Sequence, residues 1–240
     1  MTNIPPRLAG VMGWPIGHSL SPRLHGYWLQ QYGINGHYVP LAVHPDNLPQ
    51  ALRALPALGF AGCNVTLPHK EKVFEAVDRL GETARRIGSV NTVVVEEDGS
   101  LTGHSTDGIG FKNSLLEEIP NFAPTKVLLL GAGGAARAVV DMLQQMGAQE
   151  IRLVNRTAAR AEQLADELGG VQLIDWAERS EALRDVNLVV NSTSLGLHGQ
   201  PPLDMDFTPL PAGALAYDIV YNPLETAFLT AARAAGANTI

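Results

Sequence analysis

The chain has 240 residues, 45% of them hydrophobic and 17% charged, with a formal net charge of -7. That balance fits two modest globular domains and excludes a disordered chain, while the acidic surplus argues against a nucleic-acid partner, whose backbone needs clustered Lys and Arg. The lone Cys63 rules out an internal disulfide and points to a cytoplasmic setting; Met1 to Arg7 lacks a signal-type layout, and no apolar run approaches the ~20 residues that span a bilayer.

Arg7 to Trp14 reads as a strand that runs into a Pro/Gly/His/Ser loop at 15–21. Pro22 suits an early helical position, with Ser21 as the N-cap of a helix over 22–32. Strands are expected at 37–43 and 60–66, and helices at 46–55, 69–79 and 82–87. Asp98-Gly99 is a hairpin turn between strands 90–96 and 100–102. On the strand at 60–66, Asn64 and Thr66 are two apart and share a face, which turns Cys63 and Val65 toward the core. Pro68 stops this strand, and Lys70 lies just beyond it.

Four short segments, 17–21, 64–70, 89–92 and 103–110, hold uncharged polar groups that an ordinary core avoids. Each alone is explained by capping or turn chemistry. Together they suit a small polyhydroxy acid, whose hydroxyls and carboxylate need amide, hydroxyl and ammonium partners. Among the seven histidines no ligand spacing with Cys or carboxylates is seen, so no metal site is expected.

A connecting helix is expected from Asp107 to about Glu118, followed by a proline-bearing linker at 119–125. Strands then fall at 126–130, 150–155, 187–191 and 214–219, with helices at 134–146, 157–168 and 224–235. Short connections of this kind make a mainly parallel sheet. The domain division expected is 1–107 for substrate, 108–125 for the connection and 126–240 for a dinucleotide.

The dinucleotide reading rests on the apolar strand at 126–130 and the turn that follows it. Gly131, Ala132, Gly133, Gly134 and Ala135 lead to Ala136 in a G-x-G-x-x-A pattern between strand and helix. A pyrophosphate there meets free N–H groups at a helix N-terminus. After the next strand an NAD site usually carries Asp or Glu, but this chain has Asn155 and Arg156. With Arg160 one helical turn on, the pattern favours a 2′-phosphate and hence NADP; a solvated surface explains the arginines less well. Thr157 is a candidate N-cap. Asn191 to Gly196, with Thr193 at its centre, follows another strand and sits where open α/β sheets bind ligands; turn chemistry alone explains it nearly as well.

These residues resemble the shikimate dehydrogenase family. Seven ordered motifs carry the resemblance: G-W-P-I-G-H-S-L-S-P at 13–22, N-V-T-L-P-H-K at 64–70, G-S-V-N-T at 88–92, G-H-S-T-D-G at 103–108, G-A-G-G-A-A-R-A at 131–138, N-R-T-x-x-R at 155–160 and Y-D-I-V-Y-N-P at 217–223. The resemblance implies an α/β protein of two domains, an N-terminal substrate domain and a C-terminal Rossmann-type NADP domain, that reduces 3-dehydroshikimate reversibly to shikimate. It places Ser19, Ser21 and Tyr221 at the substrate carboxylate. Asn64, Thr66, Asn91 and Asp107 go to the ring oxygens. Lys70 becomes the acid/base or electrostatic residue paired with Asp107. Ile219 lies toward the nicotinamide and Glu82 toward the cofactor. A monomer or homodimer is implied.

The family pattern continues beyond Ile240 into a glycine-rich turn and a helix whose glutamine contacts substrate. Without that segment, weaker binding and an uncovered apolar surface are expected. Two rival readings stand beside the first: an NAD-using quinate/shikimate dehydrogenase, and a relative that binds ligands with impaired turnover.

Overall fold

The structure, a computed structural model, describes residues 6–240; Met1 to Pro5, which carry part of the signal-sequence expectation, lie outside the described residues. The chain divides into two compact units, Met1–Thr106 and Asp107–Ile240.

The first unit contains β1 (Arg7–Gly13), α1 (Ser21–Gln31), β2 (Gly36–Ala42), α2 (Leu48–Ala54), β3 (Phe60–Val65), α3 (Lys70–Ala76), β4 (Arg79–Leu80), α4 (Glu82–Ile87), β5 (Thr92–Val95) and β6 (Leu101–His104). Its sheet has the order β2-β1-β3-β5-β6-β4. β1 runs parallel to both β2 and β3, while β5 is antiparallel to β3 and β6. Met12, Cys63, Val65, Val93 and Leu101 point to one face and are sealed by Leu48 and Leu52 of α2, Val73 of α3 and Ala84 of α4. The expected core placement of Cys63 is seen, and burial pushes its thiol up to about 12. The helix α1 is different: it has no buried residue, and Leu24, Tyr27 and Trp28 all stand exposed.

Three local expectations need correction here. Leu20, not Ser21, holds the N-cap position of α1, and Ser21 is its first helical residue; the Ser19 hydroxyl, one residue before the cap, accepts the Ser21 N–H at 3.3 Å. The third helix ends at Ala76 instead of 79, because Val77 turns extended and Asp78 accepts the Leu101 N–H at 2.8 Å, which steers Arg79–Leu80 into the sheet as β4. The second hairpin strand, expected at 100–102, runs from Leu101 to His104.

The second unit contains α5 (Asp107–Glu118), β7 (Lys126–Leu130), α6 (Gly134–Gln145), β8 (Glu150–Val154), α7 (Ala158–Leu168), β9 (Gln172–Ile174), β10 (Leu188–Asn191), β11 (Leu215–Asp218), α8 (Ala227–Ala234) and β12 (Asn238–Thr239). All its strands are parallel, in the order β12-β11-β10-β7-β8-β9. β9 and β12, three and two residues long, were not expected; such short strands carry too little pattern to be read. The last helix begins at Ala227, capped by the Thr226 side chain, and not at 224.

Β7 shows why its sequence is a continuous apolar run. Val127 and Leu129 enter one cluster with Phe111 and Leu115 of α5, Val139 and Leu143 of α6 and Leu164 of α7. Leu128 and Leu130 enter a second cluster with Leu183, Phe207 and Phe228. Both faces are covered, so Val127 to Leu130 are all buried, and each such side chain contributes roughly 1.5–3 kcal/mol of transfer free energy. The helix α5 is thus part of this unit's core; Phe111 meets Tyr217 edge-on, and the Ser114 and Tyr217 hydroxyls hydrogen-bond at 2.6 Å.

Candidate active site

In the first unit the polar segments gather at one end of the sheet: the carboxyl ends of β1, β3 and β6 and the start of the antiparallel β5. Trp14 N–H donates to Leu67 C=O and Thr66 N–H to Met12 C=O, so the loops after β1 and β3 are zipped together. Ser19 sits in the first of these loops and Ser21 opens α1, each half-buried.

Asn64, Thr92 and Asn91 interlock. The Asn64 amide NH2 donates to Thr92 Oγ1 at 3.2 Å, and the Thr92 hydroxyl donates to Asn91 Oδ1 at 2.9 Å. The Asn91 NH2 donates to Thr106 Oγ1 at 2.9 Å, while Thr106 N–H returns to Asn91 Oδ1 at 3.1 Å. Asn91 is buried, so this pairing answers the cost of taking a carboxamide out of water. Lys70 opens α3, half-buried, and its carbonyl accepts Val90 N–H at 3.0 Å, next to Asn91. His69, fully buried, ties this corner to Val43 C=O through Nε2 at 2.8 Å, and burial lowers its pKa. Glu82 lies apart from this group: it is nearly fully exposed in the first turn of α4 and faces Arg86 at 3.6 Å.

In the second unit the strand ends continue as a row of backbone bonds. Gly131 N–H donates to Val154 C=O, Ser192 N–H to Leu130 C=O, and Ile219 N–H to Asn191 C=O. The sheet order reverses between β7 and β10, and the crevice at such a switch point is where open α/β sheets take ligands. Gly131 has φ +110, and a Cβ there would lie 2.7 Å from Ser192 Oγ, so the turn admits glycine alone. At Gly133 the reverse holds: a Cβ would meet nothing within 4 Å, so the backbone beside the N-terminus of α6 faces open space. Ala132 lies in the turn, and Gly134, Ala135 and Ala136 open α6, with Gly134 and Ala136 buried. The cradle therefore fits a pyrophosphate on residues of this chain.

Arg156 lies in the link after β8 and Arg160 in the first turn of α7; both are exposed, and among the described residues neither guanidinium has a hydrogen-bond or ion-pair partner. Thr157 occupies the N-cap position of α7, but its side chain makes no capping bond. Asn155 donates from Nδ2 to Thr157 C=O at 2.8 Å, which fixes the link. Asp107 opens α5, and Tyr221 stands half-exposed after β11.

Asp218 escaped the sequence reading. It is buried at the end of β11, where Oδ1 accepts from Asn191 Nδ2 and Val220 N–H, both at 3.0 Å, and Oδ2 accepts the Thr226 hydroxyl at 2.7 Å. Asn191 Oδ1 in turn accepts the Thr193 N–H and hydroxyl. One carboxyl thus organises the Thr193 loop, the Ile219 segment and the start of α8. Burial pushes its pKa above the usual carboxylate range against the pull of these three donors. The Asp within Y-D-I-V-Y-N-P was the available signal, but strand-end position alone does not reveal partners from two other segments.

Among the described residues no group of three or more His, Cys, Asp or Glu is placed to hold a metal ion, and no helix is long and apolar enough to cross a membrane. Residues 11–93 match the model of the shikimate dehydrogenase substrate binding domain, and residues 114–197 that of shikimate / quinate 5-dehydrogenase. The chain is 54% identical over 233 residues to the shikimate dehydrogenase (NADP(+)) of Paramagnetospirillum magneticum, covering 96% of this chain and 84% of that one. Shikimate 5-dehydrogenase from Thermus thermophilus, in complex with NADP(H) and shikimate, superposes with a TM-score of 0.85 at 36% identity, over 98% of this chain and 86% of the other. Quinate dehydrogenase from Corynebacterium glutamicum, in complex with NAD, superposes with a TM-score of 0.88 at 32% identity, over 98% and 88%.

Proposed function

The chain belongs to the shikimate dehydrogenase family, and on that premise we propose that it catalyses the reversible reduction of 3-dehydroshikimate to shikimate with NADPH. The observation that carries the reading is the open glycine cradle followed, after the next strand, by the unpartnered guanidiniums of Arg156 and Arg160. Two planar cations without internal partners suit a 2′-phosphate dianion, which they bind with charge-assisted hydrogen bonds.

Bound there, NADPH supplies a hydride to a ketone carbon. The residues of this chain do the rest. Gly131 to Ala135 and the N-terminus of α6 hold the pyrophosphate, Asn155, Arg156, Thr157 and Arg160 the 2′-phosphate end, and Thr193 and Ile219 the nicotinamide end. Ser19, Ser21 and Tyr221 take the substrate carboxylate. Asn64, Thr66, Asn91 and Asp107 take the ring oxygens.

Lys70 acts where charge develops. Hydride addition turns a carbonyl oxygen into an alkoxide, and an ammonium beside it stabilises the transition state more than the ground state. Lys70 serves first as an electrostatic donor to that oxygen, and the alkoxide takes up one proton, from Lys70 or from solvent, to give the alcohol.

Oxidation of shikimate followed by nicotinamide absorbance, with NADP+ and with NAD+ in parallel, tests the reading. NADP+-linked turnover with a higher kcat/KM than with NAD+ is expected. Preference for NAD+ together with quinate oxidation would replace it with the quinate/shikimate alternative. Binding of both ligands without turnover would replace it with a non-catalytic binder.

A further inference from the structure

We propose that Tyr38 is a positioning residue that fixes the carboxamide of Asn64 for substrate, an inference that rests on the substrate role given to Asn64 above. The Tyr38 hydroxyl donates to Asn64 Oδ1 at 2.6 Å, the shortest side-chain bond Asn64 makes. With Oδ1 taken, the amide has one orientation. Its NH2 turns toward Thr92 Oγ1 at 3.2 Å and reaches Asn91 C=O only at 3.5 Å, so the second N–H is held by a long bond that a ligand oxygen can take over.

The sheet geometry explains how a tyrosine on a different strand reaches this amide. β1 lies between β2 and β3. The register pairs Tyr38 with Ala9 and Asn64 with Val11, so all four share one face. The small Ala9 lets the phenol lie across β1. On its other side the ring stacks on His25, with centroids 4.0 Å apart and planes 3° from parallel. This stack removes rotamer freedom from the phenol before any ligand arrives. Burial raises the Tyr38 pKa well above its ordinary value, so the hydroxyl keeps its proton and remains a donor.

The fixed polarity has a consequence for the substrate. An Asn64 held as a donor selects a ring oxygen that can accept. A free carboxamide could flip and present its carbonyl instead, and half of its encounters with substrate would then be unproductive.

Tyr38→Phe removes the hydroxyl and keeps the ring stack. In NADP+-linked oxidation, KM for shikimate should rise about tenfold, the effect of one partly buried hydrogen bond. KM for NADP+ should stay within about twofold. Calorimetric titration of shikimate should show the same tenfold loss. The decisive comparison is a double-mutant cycle: Tyr38→Phe should have no further effect on shikimate binding in an Asn64→Ala background. Multiplicative effects in the cycle, or a Tyr38→Phe variant with wild-type shikimate affinity, would overturn the proposal while leaving the enzyme reading intact. A wild-type protein that neither binds nor oxidises shikimate would overturn both.

Discussion

The two units offer their candidate ligands different means of recognition. In the first unit the candidate substrate groups are side chains already bonded to one another: Asn64 to Thr92, Thr92 to Asn91, Asn91 to Thr106. In the second unit the candidate cofactor contacts are backbone at Gly131 and Gly133 and exposed arginines with no internal partner. The contrast follows ligand chemistry. A small ring with several hydroxyls is read by directional donors and acceptors, which must be held still before it arrives. Phosphates are anionic and uniform, so open N–H groups and mobile guanidiniums suffice.

Lys70 stands outside both modes and gives the largest expected effect. Lys70→Ala should lower kcat on the order of 10²–10³-fold, as expected for losing a donor to a developing oxyanion. KM for shikimate should change little, because the ground-state ketone gains less from the ammonium. Steady-state kinetics decides: near-normal turnover would remove Lys70 from the mechanism.

The arginines test the claim that the cofactor half works by charge. Arg156→Ala with Arg160→Ala should reduce kcat/KM for NADP+ by roughly 10–100-fold, since each charge-assisted bond is worth about 1.5–3 kcal/mol less solvent screening. The value for NAD+, which lacks the 2′-phosphate, should hardly move. Equal losses for both cofactors would mean that the arginines shape the loop instead of reading the phosphate.

Gly131 tests the backbone side of the comparison. In Gly131→Ala the new methyl must enter a φ of +110 and approach Ser192 Oγ to 2.7 Å. Destabilisation of about 1–3 kcal/mol is expected in urea unfolding, the usual cost of such backbone strain. NADPH binding, followed by its fluorescence, should weaken while shikimate binding persists. Unchanged cofactor affinity would show that the turn tolerates what its geometry forbids.

How much of this was legible in the sequence differs between the halves for a physical reason. The cofactor turn is local: strand, glycines and helix follow one another within a dozen residues, and each glycine has a steric cause that can be read in place. The parallel strands of the second unit, buried on both faces, announce themselves as apolar runs. The substrate array is nonlocal. Asn64 and Thr66 could be placed on one face by alternation, but the partners of Asn64 come from β2 and β5, and strand order is not written in periodicity. Tyr38 was invisible because its contact crosses β1. Ser21 reads as an N-cap by residue type, but the loop path puts Leu20 in that position and leaves the Ser21 N–H to the Ser19 hydroxyl. The shortest strands, β4, β9 and β12, are held by neighbours and not by their own pattern.

Asp218 offers the smallest effect and joins the two modes, since it is a fixed side-chain hub inside the half that otherwise works through backbone. Its sign can be worked out. Burial raises its folded pKa above the ordinary 3.8, the first cause, and three donors oppose that rise without cancelling it. Folding therefore favours the protonated form. Stability from this group is fully present below the ordinary carboxylate pKa and is lost as pH rises through the raised folded value. Asp218→Asn carries no titrating group at this place. The wild-type advantage over that variant in urea unfolding should accordingly shrink from acid toward neutral pH and then level off. An advantage that grows with pH would mean that the bonds from Asn191, Val220 and Thr226 outweigh burial and lower the Asp218 pKa instead of raising it.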